Sequence, residues 1–296
     1  MSQHFSTARP SARHSSLQPA LAALILLASM SHAQAQSYQL SAYTRSHAAD
    51  FLHNDDKTDF QNFDWLDKPQ ALTLNSLDTQ AQVVSGGKAS AKVLASIGML
   101  KAYAFASYPY GYDAQGHLVQ YGYGNGTAQA SFFDTLVVSS NTLAIGTPVS
   151  YRMDFTINGT LSSPNFELGG YLSASGIAEM RLRDRESGET SILSWNASTQ
   201  ATGVYSLVLN TQVGHTLSIN GMLYAGADVG SYAQTGRSTE ADFYHSAYYQ
   251  LSPSDSGLNT TGLSGHDFLT TAVPEPASYA LLALGLGLLG LTRRRS

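Results

Sequence analysis

The chain has 296 residues, a formal net charge of -5, only 12% charged residues and no cysteine. Without thiols there is no disulfide framework, cysteine–zinc site or iron–sulfur cluster, and no thiolate nucleophile. A sparse, acidic charge balance offers no basic stripe for phosphates, which excludes nucleic acid as a partner.

The N-terminus carries Arg9 and Arg13, then an apolar run from Ala20 to Met30, then Ser-His-Ala-Gln-Ala. Ala33 and Ala35 fit the small-x-small rule of signal peptidase, so residues 1–35 are expected to be a signal peptide cleaved after Ala35. The run is too short to span a bilayer and remain as an anchor. Residues 36–251 are enough for a domain held together by burial alone.

Early in that domain, His47, Asp50, His53, Asp55, Asp56, Asp59, Asp64 and Asp67 crowd into one stretch. Clustered carboxylates suit Ca²⁺, but EF-hand spacing is absent, and a solvated acidic loop explains them equally. Next come Tyr108, Tyr110, Tyr112, Tyr121 and Tyr123, interleaved with glycines. Tyrosines on a β scaffold are candidate glycan contacts, because a ring supplies large contact area at low entropic cost; they are also ordinary strand formers.

Period-two alternation dominates the middle of the chain. Tyr151, Met153, Phe155 and Ile157 share one face; Tyr205, Leu207 and Leu209 share another; Phe243, His245, Ala247, Tyr249 and Leu251 form a third. Asn158-Gly159 and Asn220-Gly221 read as type I′ hairpin turns. Gly86-Gly87, Gly146-Thr147-Pro148 and Gly188 mark further reversals. The stretch Ser175–Glu189 alternates as a strand through Met180 and Leu182. Ten to fourteen such strands predict an all-β, antiparallel β-sandwich, of which a jelly roll is one form. Residues 252–272, rich in Ser, Thr and Gly, are expected to be a flexible spacer.

The chain closes on Val-Pro-Glu-Pro, an uncharged apolar run from Ala277 to Thr292, and Arg293, Arg294 and Arg295. As a helix that run is roughly 24 Å long, enough to span a slightly thinned bilayer, and the arginines favour a cytoplasmic C-terminus. Prolines at 274 and 276 keep the chain extended just before it. Residues 273–296 resemble the PEP-CTERM sorting signal of exported proteins in Gram-negative bacteria, a tail also labelled an ice-binding protein C-terminal region. Pro274, Glu275 and Pro276 match the motif, and Arg293 to Arg295 match its basic end. The resemblance implies recognition by an exosortase, transient inner-membrane insertion, and delivery to the envelope or an exopolysaccharide-containing matrix. More faintly, Ala-Ser-Phe-Phe-Asp-Thr-Leu-Val-Val and Gly-His-Thr-Leu-Ser-Ile-Asn-Gly-Met-Leu resemble exported domains that accompany this tail and have no assigned activity.

No His-Glu-x-x-His, Gly-x-Ser-x-Gly or phosphate-loop pattern is present. The expectation is therefore a non-catalytic exported protein without cofactor or resident metal. A lectin-like module using the Tyr108–Tyr123 region is the alternative, and a polysaccharide hydrolase with two facing carboxylates comes third.

Overall fold

The structure is a computed structural model that describes residues 38–50, 53–64, 72–83, 86–108, 111–112, 118–119, 122–162, 172–230 and 237–269. The expected signal peptide with Ala33 and Ala35, and the sorting tail with Pro274, Glu275, Pro276 and Arg293 to Arg295, lie outside those residues.

Fifteen strands succeed one another along the chain, with no helix among the described residues. They are β1 (Tyr38–Asp50), β2 (Asn54–Asp64), β3 (Leu77–Gln82), β4 (Lys88–Ser96), β5 (Met99–Tyr108), β6 (Gly111–Tyr112), β7 (Leu118–Val119) and β8 (Gly122–Val137). Then come β9 (Pro148–Ile157), β10 (Thr160–Ser162), β11 (Leu172–Asp184), β12 (Thr190–Asn196), β13 (Gly203–Gln212), β14 (Thr216–Val229) and β15 (Arg237–Pro253). A six-stranded sheet has the order β12-β11-β14-β8-β1-β2, and a seven-stranded sheet has β13-β9-β15-β5-β4-β3 with β10 also on β15. Their inner faces form one continuous hydrophobic core, the all-β sandwich that alternation predicts.

The alternating segments behave as expected. Tyr151, Met153, Phe155 and Ile157 are all buried, as are Met180 and Leu182. Gly146 and Gly188 turn the chain with φ of 85° and 78°, in the left-handed region that favours glycine. His245 departs from its face. Register shifts between Phe243 and Ala247, and the bulge throws His245 outward.

Both Asn-Gly pairs are corrections, because neither is a hairpin turn. Asn220 and Gly221 lie inside β14, paired with Arg181 and Met180 on one side and with Phe133 and Phe132 on the other. A Cβ at 221 would overlap the Phe132 ring and reach Tyr249, so glycine serves close packing there. Asn158-Gly159 interrupts a path that continues along β15, from Ile157 opposite Ala247 to Thr160 opposite Asp242. A Cβ at 159 would overlap Phe243.

The expected spacer is the third correction. β15 continues to Pro253, and residues 254–269 form a strap packed on the sandwich. Phe268 is fully buried and Leu258 nearly so. Tyr151 donates its hydroxyl proton to the Asn259 carbonyl at 2.7 Å, and the Leu263 amide donates to the Thr135 carbonyl at 2.7 Å. Backbone groups taken up by the sandwich overrule a composition that reads as flexible.

Replacing Phe268 by Ala should therefore lower stability by about 3–5 kcal/mol in urea denaturation. A loss below about 0.5 kcal/mol, the scale of an ordinary surface change, would mean that the strap is not part of the fold.

Candidate functional site

A groove of about 690 Å³ lies on the outer face of the seven-stranded sheet. Its floor is set by strand register. One cross-strand row runs Gln80–Ser90–Phe105–Glu240, and the next runs Asp78–Lys92–Tyr103–Asp242. Residues of one row are lateral neighbours on the same face, so each aromatic ring is flanked by groups that exchange hydrogen bonds. Tyr244 and His245, carried out by the β15 bulge, line the groove as well. Asp55 comes from the other sheet and accepts the Gln82 amide at 3.1 Å.

The groove's aromatics are held in place. The Tyr103 hydroxyl bonds to Glu240 and Ser90; burial, reinforced by the Glu240 charge, pushes its pKa up to about 12. The Tyr244 hydroxyl meets that of Ser76 at 3.0 Å, and the Lys101 ammonium lies 5.7 Å from the Tyr244 ring centre. Lys92 pairs with Asp78 at 3.2 Å.

Sequence reasoning pointed to other tyrosines. Tyr108 is 4% exposed and packs inward beneath Gly87 and Gly122, which removes it from a glycan face. Tyr123 is half-buried on the outer face of the six-stranded sheet and donates to Asp228 at 3.2 Å. His47 meets the Tyr123 ring edge-on at 5.1 Å between centroids. Tyr112 belongs to the two-stranded β6–β7 pair, while Tyr110 and Tyr121 lie outside the described residues. The region thus supplies no common face of described tyrosines. The signal overlooked was in KAYAFAS of β5: Ala102, Ala104 and Ala106 are fully buried while Tyr103 and Phe105 point outward.

The described part of the acidic stretch lies on the β1–β2 hairpin, where Asp50, Asp55 and Asp56 have individual partners. Arg45 grips Asp56 with two bonds of 2.8 and 3.1 Å, Lys57 meets Asp55 at 2.8 Å, and His53 meets Asp50 at 3.1 Å. Hydrogen bonding to Arg45 and to Lys57 holds the Asp56 and Asp55 carboxyls below the usual range. Asp67 lies outside the described residues.

A separate triad, Asp184, Glu186 and His215, has ligand-type atoms within 4.8 Å of one another. The buried Asp184 carboxylate accepts from Thr211 and His215 at 2.7 Å each, and from the Glu186 and Ser187 amides at 2.9 Å each. Burial alone would raise its pKa, but these donors outweigh it and hold the carboxyl at about 2. Glu186 accepts the Thr216 amide at 2.7 Å. The group ties the β11–β12 turn to the β13–β14 turn, with its lone pairs directed at protein donors.

Asp134 does the equivalent for the strap. It is fully buried and accepts from the Ser264 hydroxyl at 2.5 Å, the Ser264 amide at 3.2 Å and the Thr135 amide at 2.7 Å. A Cβ at 262 would overlap its carboxylate, so Gly262 lets the strap approach. Burial dominates here and raises the carboxyl to about 6 despite those donors.

Residues 272–296 match the family model described as the PEP-CTERM protein-sorting motif. No curated protein sequence matches the chain. Two solved structures show a distant likeness. One is the enzymatically active domain of bacteriophage CBA120 tailspike protein 4, 12% identical, with a TM-score of 0.17 over 60% of this chain and 19% of that one. The chain thus spans about a fifth of the tailspike's length. The other is described as a structural basis for promiscuous specificity in carbohydrate-binding modules of the β-sandwich superfamily, 6% identical, with a TM-score of 0.16 over 73% of this chain and 86% of that one. Scores at this level carry no argument about fold or ligand.

The Asp134 geometry fixes a pH dependence. The folded carboxyl keeps its proton up to about pH 6, whereas the unfolded chain releases it near 3.8. Its stabilising contribution is full below the lower value and is lost as pH rises through the upper one, about 3 kcal/mol in all. Asp134→Asn should therefore gain stability relative to the parent between pH 4 and 7, read from urea midpoints at both. Parallel midpoints for the two proteins across that window would contradict the assignment.

Proposed function

Carrying that tail, the chain is a PEP-CTERM domain-containing protein, and we propose that it is a non-catalytic β-sandwich delivered by an exosortase to the cell envelope or an exopolysaccharide-containing matrix. The motif itself marks the chain for export and membrane-associated sorting at its C-terminus. Signal peptidase would release the N-terminus after Ala35, and the apolar run from Ala277 to Thr292 would hold the other end in the inner membrane until processing.

The observation that carries this reading is the nearness of the motif to the packed fold. The strap is described up to Leu269, and Pro274 comes five residues later. Fully extended, five residues cover at most about 18 Å. While the tail is uncut, the sandwich must stay near the outer membrane–water interface, and an enzyme acting at Pro-Glu-Pro works in that narrow gap.

A non-catalytic role is supported by how the perturbed carboxylates are used. Asp134, Asp184 and Asp228 accept from backbone amides, hydroxyls, a side-chain amide and an imidazole that join strands to one another, to turns and to the strap. Groups so engaged serve the fold rather than proton transfer to a substrate.

Mass spectrometry of protein from the producing strain, with and without its exosortase gene, tests the reading. The exported form should lack Arg293 to Arg295, and the deletion strain should retain the whole tail in the membrane fraction. Soluble extracellular protein ending at Ser296 in both strains would overturn it.

A further inference from the structure

The geometry points to the groove on the seven-stranded sheet as a binding site for an uncharged saccharide chain, lying across Tyr103 and Phe105. This names a site and ligand class for the matrix association proposed above, and rests on that reading for where the ligand is met.

The first observation is an inversion of ordinary packing. Along β5, Ala102, Ala104 and Ala106 are fully buried, and along β4 Ala89, Ala91 and Ala95 are buried or nearly so. They face β8, where Gly124 and Gly126 let the sheets close in; a Cβ at 126 would lie 2.6 Å from the Ser90 carbonyl. The core is therefore thin along this stretch, where small side chains alternate with Tyr103 and Phe105. Tyr103 and Phe105 instead stand on the outer face, half-buried, with apolar ring surface toward the groove. Large apolar side chains gathered on an outer face beside a concavity mark an interaction site.

The surroundings of these rings set the ligand class. Their rows carry an amide, hydroxyl, ammonium and carboxylates: Ser90 and Glu240 flank Phe105 with Gln80 beyond Ser90, and Lys92 and Asp242 flank Tyr103. A ligand that satisfies both needs a flat apolar face rimmed by hydroxyls, which is a pyranose ring. Charge on the lining is balanced, with Lys88 and Lys92 against Asp55 and Asp242, so a polyanion gains no net attraction. The floor strands β4 and β5 are paired on both sides, and on the edge strand β3 the Gln82 amide and the Thr79 carbonyl are already engaged by Asp55 and Ser46, so an extended peptide finds little free edge to extend. The volume of about 690 Å³ lies within the range of small-ligand sites.

The second observation is the bulge. Between Phe243 and Ala247 the register with β5 slips, and the extra residues carry Tyr244 and His245 to the groove. Bulges re-aim side chains at sites on sheet faces. Anchored to Ser76, Tyr244 supplies a third ring.

The test uses the exported protein purified from the producing strain, titrated with that strain's purified exopolysaccharide and with cellohexaose and laminarihexaose as uncharged probes. Saturable binding to at least one is expected. Phe105→Ala and Tyr103→Ala should each weaken it roughly three- to tenfold. Gln80→Ala, which removes no ring and leaves the core untouched, should also weaken it; Tyr123→Phe on the opposite sheet should not change it. Thermal midpoints of all variants confirm that folding is retained. Binding that survives all three groove variants overturns the site, as does binding lost only in Tyr123→Phe. Absence of saccharide binding by protein that is still processed by exosortase overturns the site and leaves the delivery reading intact, whereas loss of that processing bears on delivery alone.

Discussion

Tyr249 joins the two sheets, and much of the molecule is arranged around it. Its ring meets Phe132 of the six-stranded sheet edge-on at 4.9 Å and Phe155 of its own sheet at the same distance. Phe132 in turn meets Phe268 of the strap at 6.2 Å. The hydroxyl crosses the interior and donates to the Met222 carbonyl at 3.1 Å, which satisfies a polar group that burial would otherwise leave costly. Gly221 is the counterpart of this cluster, since any side chain there would displace the rings. In a chain without cysteine, such interdigitation has to do what cross-links do in smaller exported domains.

Packing is uneven along the sandwich. Around Tyr249 the sheets are filled by aromatic rings, while Ala89 and Ala91 of β4, Ala104 and Ala106 of β5, and Gly124 and Gly126 of β8 bring them close together. Close approach in the second region leaves no room inside for Tyr103 and Phe105, and the outer face receives them. The groove is thus a consequence of how the core is distributed. The buried carboxylates obey the same economy of position. Asp184 accepts from four donors and is held as an anion, whereas Asp134 lies deeper in apolar surroundings and is pushed toward its neutral form. One fixes turns at the end of the six-stranded sheet, and the other fixes the strap.

Much of the fold was legible because the chain writes strands with period-two alternation, as in Tyr151–Ile157 and Ser175–Asp184. The Asn-Gly pairs misled because a turn needs glycine for positive φ, while these glycines make room for Phe132 and Phe243; a dipeptide does not distinguish the two demands. The strap misled because its Ser, Thr and Gly residues are those of a linker. Tertiary partners such as the Asp134 carboxylate, the Phe132 ring and the Thr135 carbonyl give it a structure. The sorting tail was legible from order alone: Pro-Glu-Pro, apolar run, arginines. Tyr108–Tyr123 drew notice through tyrosine density, yet what matters is which way a ring faces, and the alanines alternating with Tyr103 and Phe105 carried that information.

These features make the sandwich and strap a single unit in which the packed fold runs to Leu269, five residues before Pro274. Hydrogen–deuterium exchange on the exported protein tests this most directly. Amides of Gly262, Leu263 and Phe268, which donate to His266, Thr135 and Thr260, should exchange as slowly as those of β8 and β14. Exchange of those three amides at the rate of an unstructured chain, with β8 and β14 still protected, would detach the strap from the fold and contradict a packed fold that ends five residues before Pro274.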